Sequence, residues 1–159
     1  MKSETSVAAA VAREWPPLIR SSSIEVFEMM LNVRLEPSTQ APIPIPECTA
    51  LVGLTGSLMG SLSLRCGAAA ATEMAALMLN LPAERATRYG PDAVGEIANM
   101  IAGNFKNRID NLSDRCLLST PTVVVGMDYR CRALNEMERQ ELWFRFENQP
   151  LQVALEVQI

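Results

Sequence analysis

The stretch PDAVGEIANMIAGNFKNRI, residues 91–109, decides how the rest of the chain is read. On a helical wheel of about 100° per residue, Val94, Ile97, Ala98, Ile101 and Phe105 fall on one side, and Leu112 would continue it. That is the apolar stripe of a helix packed on a core. The opposite side presents Asp92, Glu96, Asn99, Gly103, Lys106 and Asn107. Pro91 suits a helix entry, and Asp92 fits an N-cap or first-turn acid at the positive end of the helix dipole. Glu96 and Asn99, at i and i+3, project a carboxylate and an amide side by side. Gly103 follows on the same stripe, although glycine inside a helix costs about 0.5–1 kcal/mol against alanine, and Gly95 is a second such cost. A bare helix surface admits close approach by another backbone, whether of a partner or of a neighbouring element. By spacing alone, a Glu–Asn pair sits equally well on any solvated helix face.

Upstream, CTALVGLT (48–55) and LMGSLSLR (58–65) read as two strands joined at Gly56-Ser57, a two-residue turn of type II′ chemistry. Gly67 leads into AAAATEMAALMLN, a helix with almost no polar face and hence buried around much of its circumference. Earlier still, LIRSSSIEVFEMMLNV (18–33) has helical spacing, with Ile24, Phe27, Met30 and Leu31 on one side and Ser21, Ser22 or Ser23 available as a cap. Residues 1–17 carry little pattern and end in Pro16-Pro17. Between that helix and the first strand, EPSTQAPIPIPE packs Pro37, Pro42, Pro44 and Pro46 together, which excludes a helix and favours an extended connector or an edge.

Downstream the period changes to two. CLLSTPTVVVGM (116–127) is β-branched and broken by Pro121, which suggests an edge or a bulge. ELWFRFEN (141–148) and LQVALEVQI (151–159) alternate cleanly, with a turn expected at Gln149-Pro150. Helix, two strands, two helices, three strands is an α+β order, a mainly antiparallel sheet packed with helices in a single domain.

Composition removes several functions. Histidine is absent from the 159 residues, which excludes Ser-His-Asp and Cys-His hydrolases, imidazole metal sites and His phosphorelay. A net charge of −4 offers no basic patch for nucleic acid. Cys48, Cys66, Cys116 and Cys131 lack CxxC or zinc spacing, and each sits in or beside an apolar run as a small core residue would. There is no phosphate-binding glycine loop, no acid cluster of metal spacing, no export signal and no run of the ~18 apolar residues that would cross a membrane. A cytoplasmic protein follows, with no partner among nucleic acids or membranes.

DAVGEIANMIAGNFK resembles the signature of the CheC/CheX/FliY family of chemotaxis phosphatases, of the form D/S-x-x-x-E-x-x-N-x-x-x-G-N. It is filled here in register by Asp92, Glu96, Asn99, Gly103 and Asn104. SSSIEVFEMMLNV (21–33) resembles the opening helix of CheX proteins, so the likeness runs from about residue 18 to the end. CheC-type members carry two sites; here Glu28 is followed at i+3 by Leu31, with Asn32 one step late, so the chain resembles CheX rather than CheC.

The resemblance implies a CheC-like/CheX-like fold over residues 18–159, with residues 1–17 as an N-terminal extension. It implies a phosphatase that accelerates hydrolysis of the aspartyl phosphate of a CheY-like response regulator, in chemotaxis or related two-component signalling. Asn99 would orient the attacking water and Glu96 would pair with the regulator's lysine, both as catalytic residues inserted into the regulator's site. Asp92, Gly103 and Asn104 would support the contact. No cofactor or metal of its own is implied, with Mg²⁺ on the partner regulator, and a homodimer through paired sheet edges among the strands after residue 140. The alternative is a non-catalytic regulator-binding or flagellar-switch-like adaptor on the same fold.

Overall fold

The structure is a computed structural model that describes residue 9 and residues 11–39, 47–110 and 114–158. Its elements in chain order are α1 (Trp15–Leu31), β1 (Glu36–Ser38), β2 (Cys48–Gly56), β3 (Gly60–Cys66), α2 (Ala68–Leu79), the short α3 (Ala83–Ala86) with a 3-10 turn (Thr87–Tyr89), α4 (Gly90–Asn107), β4 (Cys116–Leu118), β5 (Thr122–Val125), β6 (Glu138–Phe146) and β7 (Gln149–Val157). The strands form one antiparallel sheet in the order β1-β6-β7-β3-β2-β4, with β5 also paired to β2. This is the expected α+β architecture, with α4 lying between α1 and α2 and packed across β2 and β3.

Alternation decides which side of the sheet the helices cover. Ala50, Val52 and Leu54, Leu62 and Leu64, Leu142, Phe144 and Phe146, and Leu151, Val153, Leu155 and Val157 are all buried. With Phe27, Met74, Ile97, Ile101 and Phe105 they make one core. Cys48, Cys66 and Cys116 belong to it, and Cys48 lies directly opposite Cys66 across the β2–β3 pairing. Hydrogen bonding from Cys48, and then burial, holds the Cys66 thiol well above its ordinary pKa. Cys131 departs from the expected core placement: it is only half-buried, on the opposite side of the sheet.

Several local expectations shift for physical reasons. α1 begins at Trp15 rather than Leu18, because Pro16 and Pro17 occupy its first turn, where a missing N–H costs nothing. Trp15 then packs edge-on against Phe105, with ring centroids 5.8 Å apart. The helix stops at Leu31 because Asn32 turns left-handed (φ 53°) and its N–H closes on the Glu28 carbonyl. Ser21 and Ser23 do not cap the helix; they lie inside it and donate to the carbonyls of Pro17 (3.0 Å) and Ile19 (2.8 Å).

The β2–β3 connection is longer than two residues. Leu54 pairs with Gly60, while Gly56, at φ +102°, pairs with Cys116 of β4 instead of continuing the hairpin. Leu58 inserts into the core from this loop. At the other hairpin the turn is Glu147-Asn148, both at positive φ (46° and 64°), and Gln149-Pro150 already belongs to β7. α2 buries Ala70, Ala71, Met74 and Ala75 but leaves Leu77 and Leu79 exposed, so it is covered on one side rather than all round. Of the proline-rich stretch, Glu36–Ser38 forms the edge strand β1, and residues 40–46 lie outside the described ones.

Candidate functional site

The site is built from the inside of α4 outward. Val94, Ile97, Ala98, Ile101, Ala102 and Phe105 are buried, as the wheel requires, and fix the helix against sheet and neighbouring helices. At its start Gly90 touches α2: a Cβ there would lie 3.2 Å from the Ala71 carbonyl carbon and Cβ. Gly95 serves packing within the molecule, since its Cβ would lie 3.0 Å from Val123 Cγ2. That glycine lets β5 draw up against the helix. Lys106 Nζ donates to the Cys116 carbonyl at 2.8 Å and ties the last turn to β4.

With its inner side anchored in this way, α4 turns Asp92 and Glu96 fully outward and leaves Asn99 and Gly103 half-buried beside the β4–β5 edge. Asp92 is a first-turn acid. Neither the Glu96 nor the Asn99 side chain bonds to another described residue. A Cβ on Gly103 would meet only Leu118 Cδ1, at 3.9 Å, so the helix surface there is open. The helix thus places a carboxylate, an amide and a bare backbone along one stripe. That stripe is flanked by Pro121, Val123 and Leu118.

Asn104 sits elsewhere. Its Nδ2 donates to Glu25 Oε2 of α1 (3.3 Å) and its Oδ1 accepts from Arg108 Nε (2.7 Å), while Arg108 pairs with the same Glu25 carboxylate. Glu25 and Arg108 were not foreseen from the sequence, because the pair joins residues far apart in the chain and no periodicity links them. Among the described residues no three of His, Cys, Asp and Glu gather as metal ligands, and no helix is long and apolar enough to cross a membrane.

Known proteins resemble this chain in sequence and in fold. The family described as Chemotaxis phosphatase CheX matches residues 48–147, which include β2 through β6 and the whole of α4. The CheY-P phosphatase CheX of Thermotoga maritima is 29% identical over 100 residues, 62% of this chain and 64% of that protein, so the match spans less than two thirds of the relative's length. Among solved structures, the chemotaxis protein CheX from Vibrio vulnificus is 25% identical with a TM-score of 0.75, covering 91% of this chain and 97% of that one. The CheX–CheY–BeF3–Mg²⁺ complex from Borrelia burgdorferi is similar in fold, with a TM-score of 0.76 at 18% identity over 91% of this chain and 98% of that one. With the motif carried on the outward side of α4 and the family matched over most of its length, this chain belongs to the chemotaxis phosphatase CheX family.

Proposed function

We propose that this chain accelerates hydrolysis of the aspartyl phosphate on a CheY-like response regulator. The observation that carries the reading is the Glu96–Asn99–Gly103 stripe, two polar side chains without described partners beside open backbone on a firmly anchored helix. The naming of a relative as a CheY-P phosphatase and of another in complex with CheY, BeF3 and Mg²⁺ supports the substrate class.

Transfer of a phosphoryl group to water needs an in-line nucleophile and charge stabilisation more than covalent chemistry from the protein. The regulator contributes Mg²⁺ and a lysine beside its phosphate, and this chain contributes no metal. The Asn99 amide, with one acceptor and two donor hydrogens, orients the attacking water. An amide is no useful base at neutral pH, so its contribution is position, and the lack of histidine is no obstacle. Glu96 pairs with the regulator's lysine and fixes the register of α4 in the cleft. Gly103 allows close approach, Asp92 supports the start of the helix, and Asn104 supports the contact indirectly by holding α4 to α1.

We further propose that the functional unit is residues 18–159, that it acts in the cytoplasm, and that it is a homodimer paired through β6. β1 covers β6 only at Trp143–Arg145, which leaves the outer side of Glu138–Leu142 without a described strand partner. Light scattering across micromolar concentrations tests the dimer, and a clean monomer overturns it.

Phosphate release from a Mg²⁺-loaded, phosphorylated CheY-like regulator, with wild type and Asn99→Ala side by side, tests the phosphatase. Acceleration by wild type and its loss of about a hundredfold in Asn99→Ala is expected. Binding without acceleration by wild type makes the chain an adaptor, and full activity in Asn99→Ala overturns the role of the amide.

A further inference from the structure

The side of the sheet away from the helices has its own polar architecture. Register puts Thr49, Arg65, Gln152 and Trp143 in one row across β2, β3, β7 and β6, then Leu51, Ser63, Ala154 and Glu141, then Gly53, Ser61, Glu156 and Arg139. The segment after β5 lies across these rows. Tyr129 meets Thr49 Oγ1 at 2.7 Å and donates toward the Val124 carbonyl at 3.3 Å, and Arg65 Nη2 donates to the Cys131 carbonyl at 3.4 Å. Between segment and sheet remains a groove of about 370 Å³, bordered by Leu51, Ser61, Ser63, Arg65, Arg130, Arg132 and Glu156.

The charges in this groove do not balance. Three arginines, Arg65, Arg130 and Arg132, line it against Glu156 alone, an excess of two positive charges, and that carboxylate is paired with Arg139, which also holds Glu141. Arg65, Arg130 and Arg132 have no carboxylate partner among the described residues. Arg65 Nε is buried without a hydrogen-bond partner. Burial, and then the charge of Arg139, lowers the pKa of that guanidinium, with Glu141 opposing more weakly. The Ser61 and Ser63 hydroxyls, on the same side of β3, bond to no described residue.

We propose that this groove binds a small phosphate monoester, its dianion held by Arg65, Arg130 and Arg132 with Ser61 and Ser63 as further donors. Several guanidinium forks and two hydroxyls converging on one place suit an anion with three oxygens and two charges, whereas a single carboxylate needs one fork. Leu51 and Ala133 give the organic part an apolar wall. The site lies across the sheet from Glu96 and Asn99, and stands whether or not the phosphatase reading holds.

Isothermal titration of the full chain at low salt, with inorganic phosphate, phenyl phosphate, succinate and a polyglutamate peptide as separate probes, tests it. Saturable one-to-one binding of phenyl phosphate, tighter than inorganic phosphate, is expected. The exposed pair Arg130→Gln/Arg132→Gln should weaken it about tenfold or more, and Arg65→Lys, which keeps the charge and loses the fork, by several fold. Arg88→Gln, on the helical side, should leave it unchanged. Absence of saturable binding to either phosphate, binding indifferent to Arg130→Gln/Arg132→Gln, succinate bound as tightly as phenyl phosphate, or polyglutamate bound in place of the phosphates would each overturn the proposal.

Discussion

Each side of the sheet is closed by a different kind of force. Beneath α4, Ile97, Ile101 and Phe105 interlock with strand residues such as Val52 and Leu64, all of them excluded from water. On the other side, buried Thr49, Ser63 and Gln152 lie toward the segment of residues 126–137, which is tied down by the Tyr129 and Arg65 hydrogen bonds. Apolar interlocking resists opening everywhere at once, whereas a few polar ties open locally. The helix side is therefore suited to presenting a fixed stripe of side chains. The segment side is suited to admitting something between itself and the sheet.

That contrast can be broken by measurement. Phe105→Ala should cost about 3–5 kcal/mol in stability, since it empties a fully buried site that also supports Trp15; a loss below 1 kcal/mol in denaturant titration would mean the α4 side is not the rigid one. Next in size, Glu96→Ala should weaken binding to the regulator by about 2–5 kcal/mol with the fold unchanged, the range for truncating one partner of a buried ion pair. Unchanged affinity in calorimetry would remove its docking role. Tyr129→Phe should cost about 1–2 kcal/mol, because it strands the buried Thr49 hydroxyl. Its hydrogen-exchange protection should fall in residues 126–137 and hold in α4, and a uniform loss would erase the distinction between the two sides. Smallest, Gly103→Ala should raise stability by about 0.5–1 kcal/mol through helix propensity, because the added methyl meets only Leu118 at ordinary contact distance. It should lower affinity for the regulator at the same time, and improved binding would show that the open backbone serves no approach.

The two sides were also unequally legible. Glu96, Asn99 and Gly103 lie within one helix, so the helical period displays them together before any fold is known, and the same period names Val94, Ile97, Ala98, Ile101 and Phe105 as core. The alternation of β6 and β7 was equally direct. Arg65, Arg130 and Arg132 belong to separate stretches of chain, and their meeting depends on strand register and on a segment with no period. A net charge of −4 averages such a cluster away. The misplaced turns have local causes: Gly56 is drawn to β4, and Glu147-Asn148 adopts left-handed backbone that nothing about Glu147 advertises. For Gly95 the sequence left both a partner and a neighbouring element open, and the fold gives the room to Val123.

The break at Pro121 has a consequence for how copies of this chain can associate. The outer side of β2 is occupied by two short strands, Cys116–Leu118 and Thr122–Val125, and between them the Ser119 hydroxyl and amide take up the Gly53 backbone groups. A margin interrupted in this way gives no long, regular row of donors and acceptors on which a further strand could be templated. Among the described strands the sheet is thus blunt at one end and open at the other, along Glu138–Leu142 of β6. The proposed pairing of two copies about a twofold axis through that end would use up the ladder left open among the described strands, so growth would terminate at a pair instead of running on into a fibre.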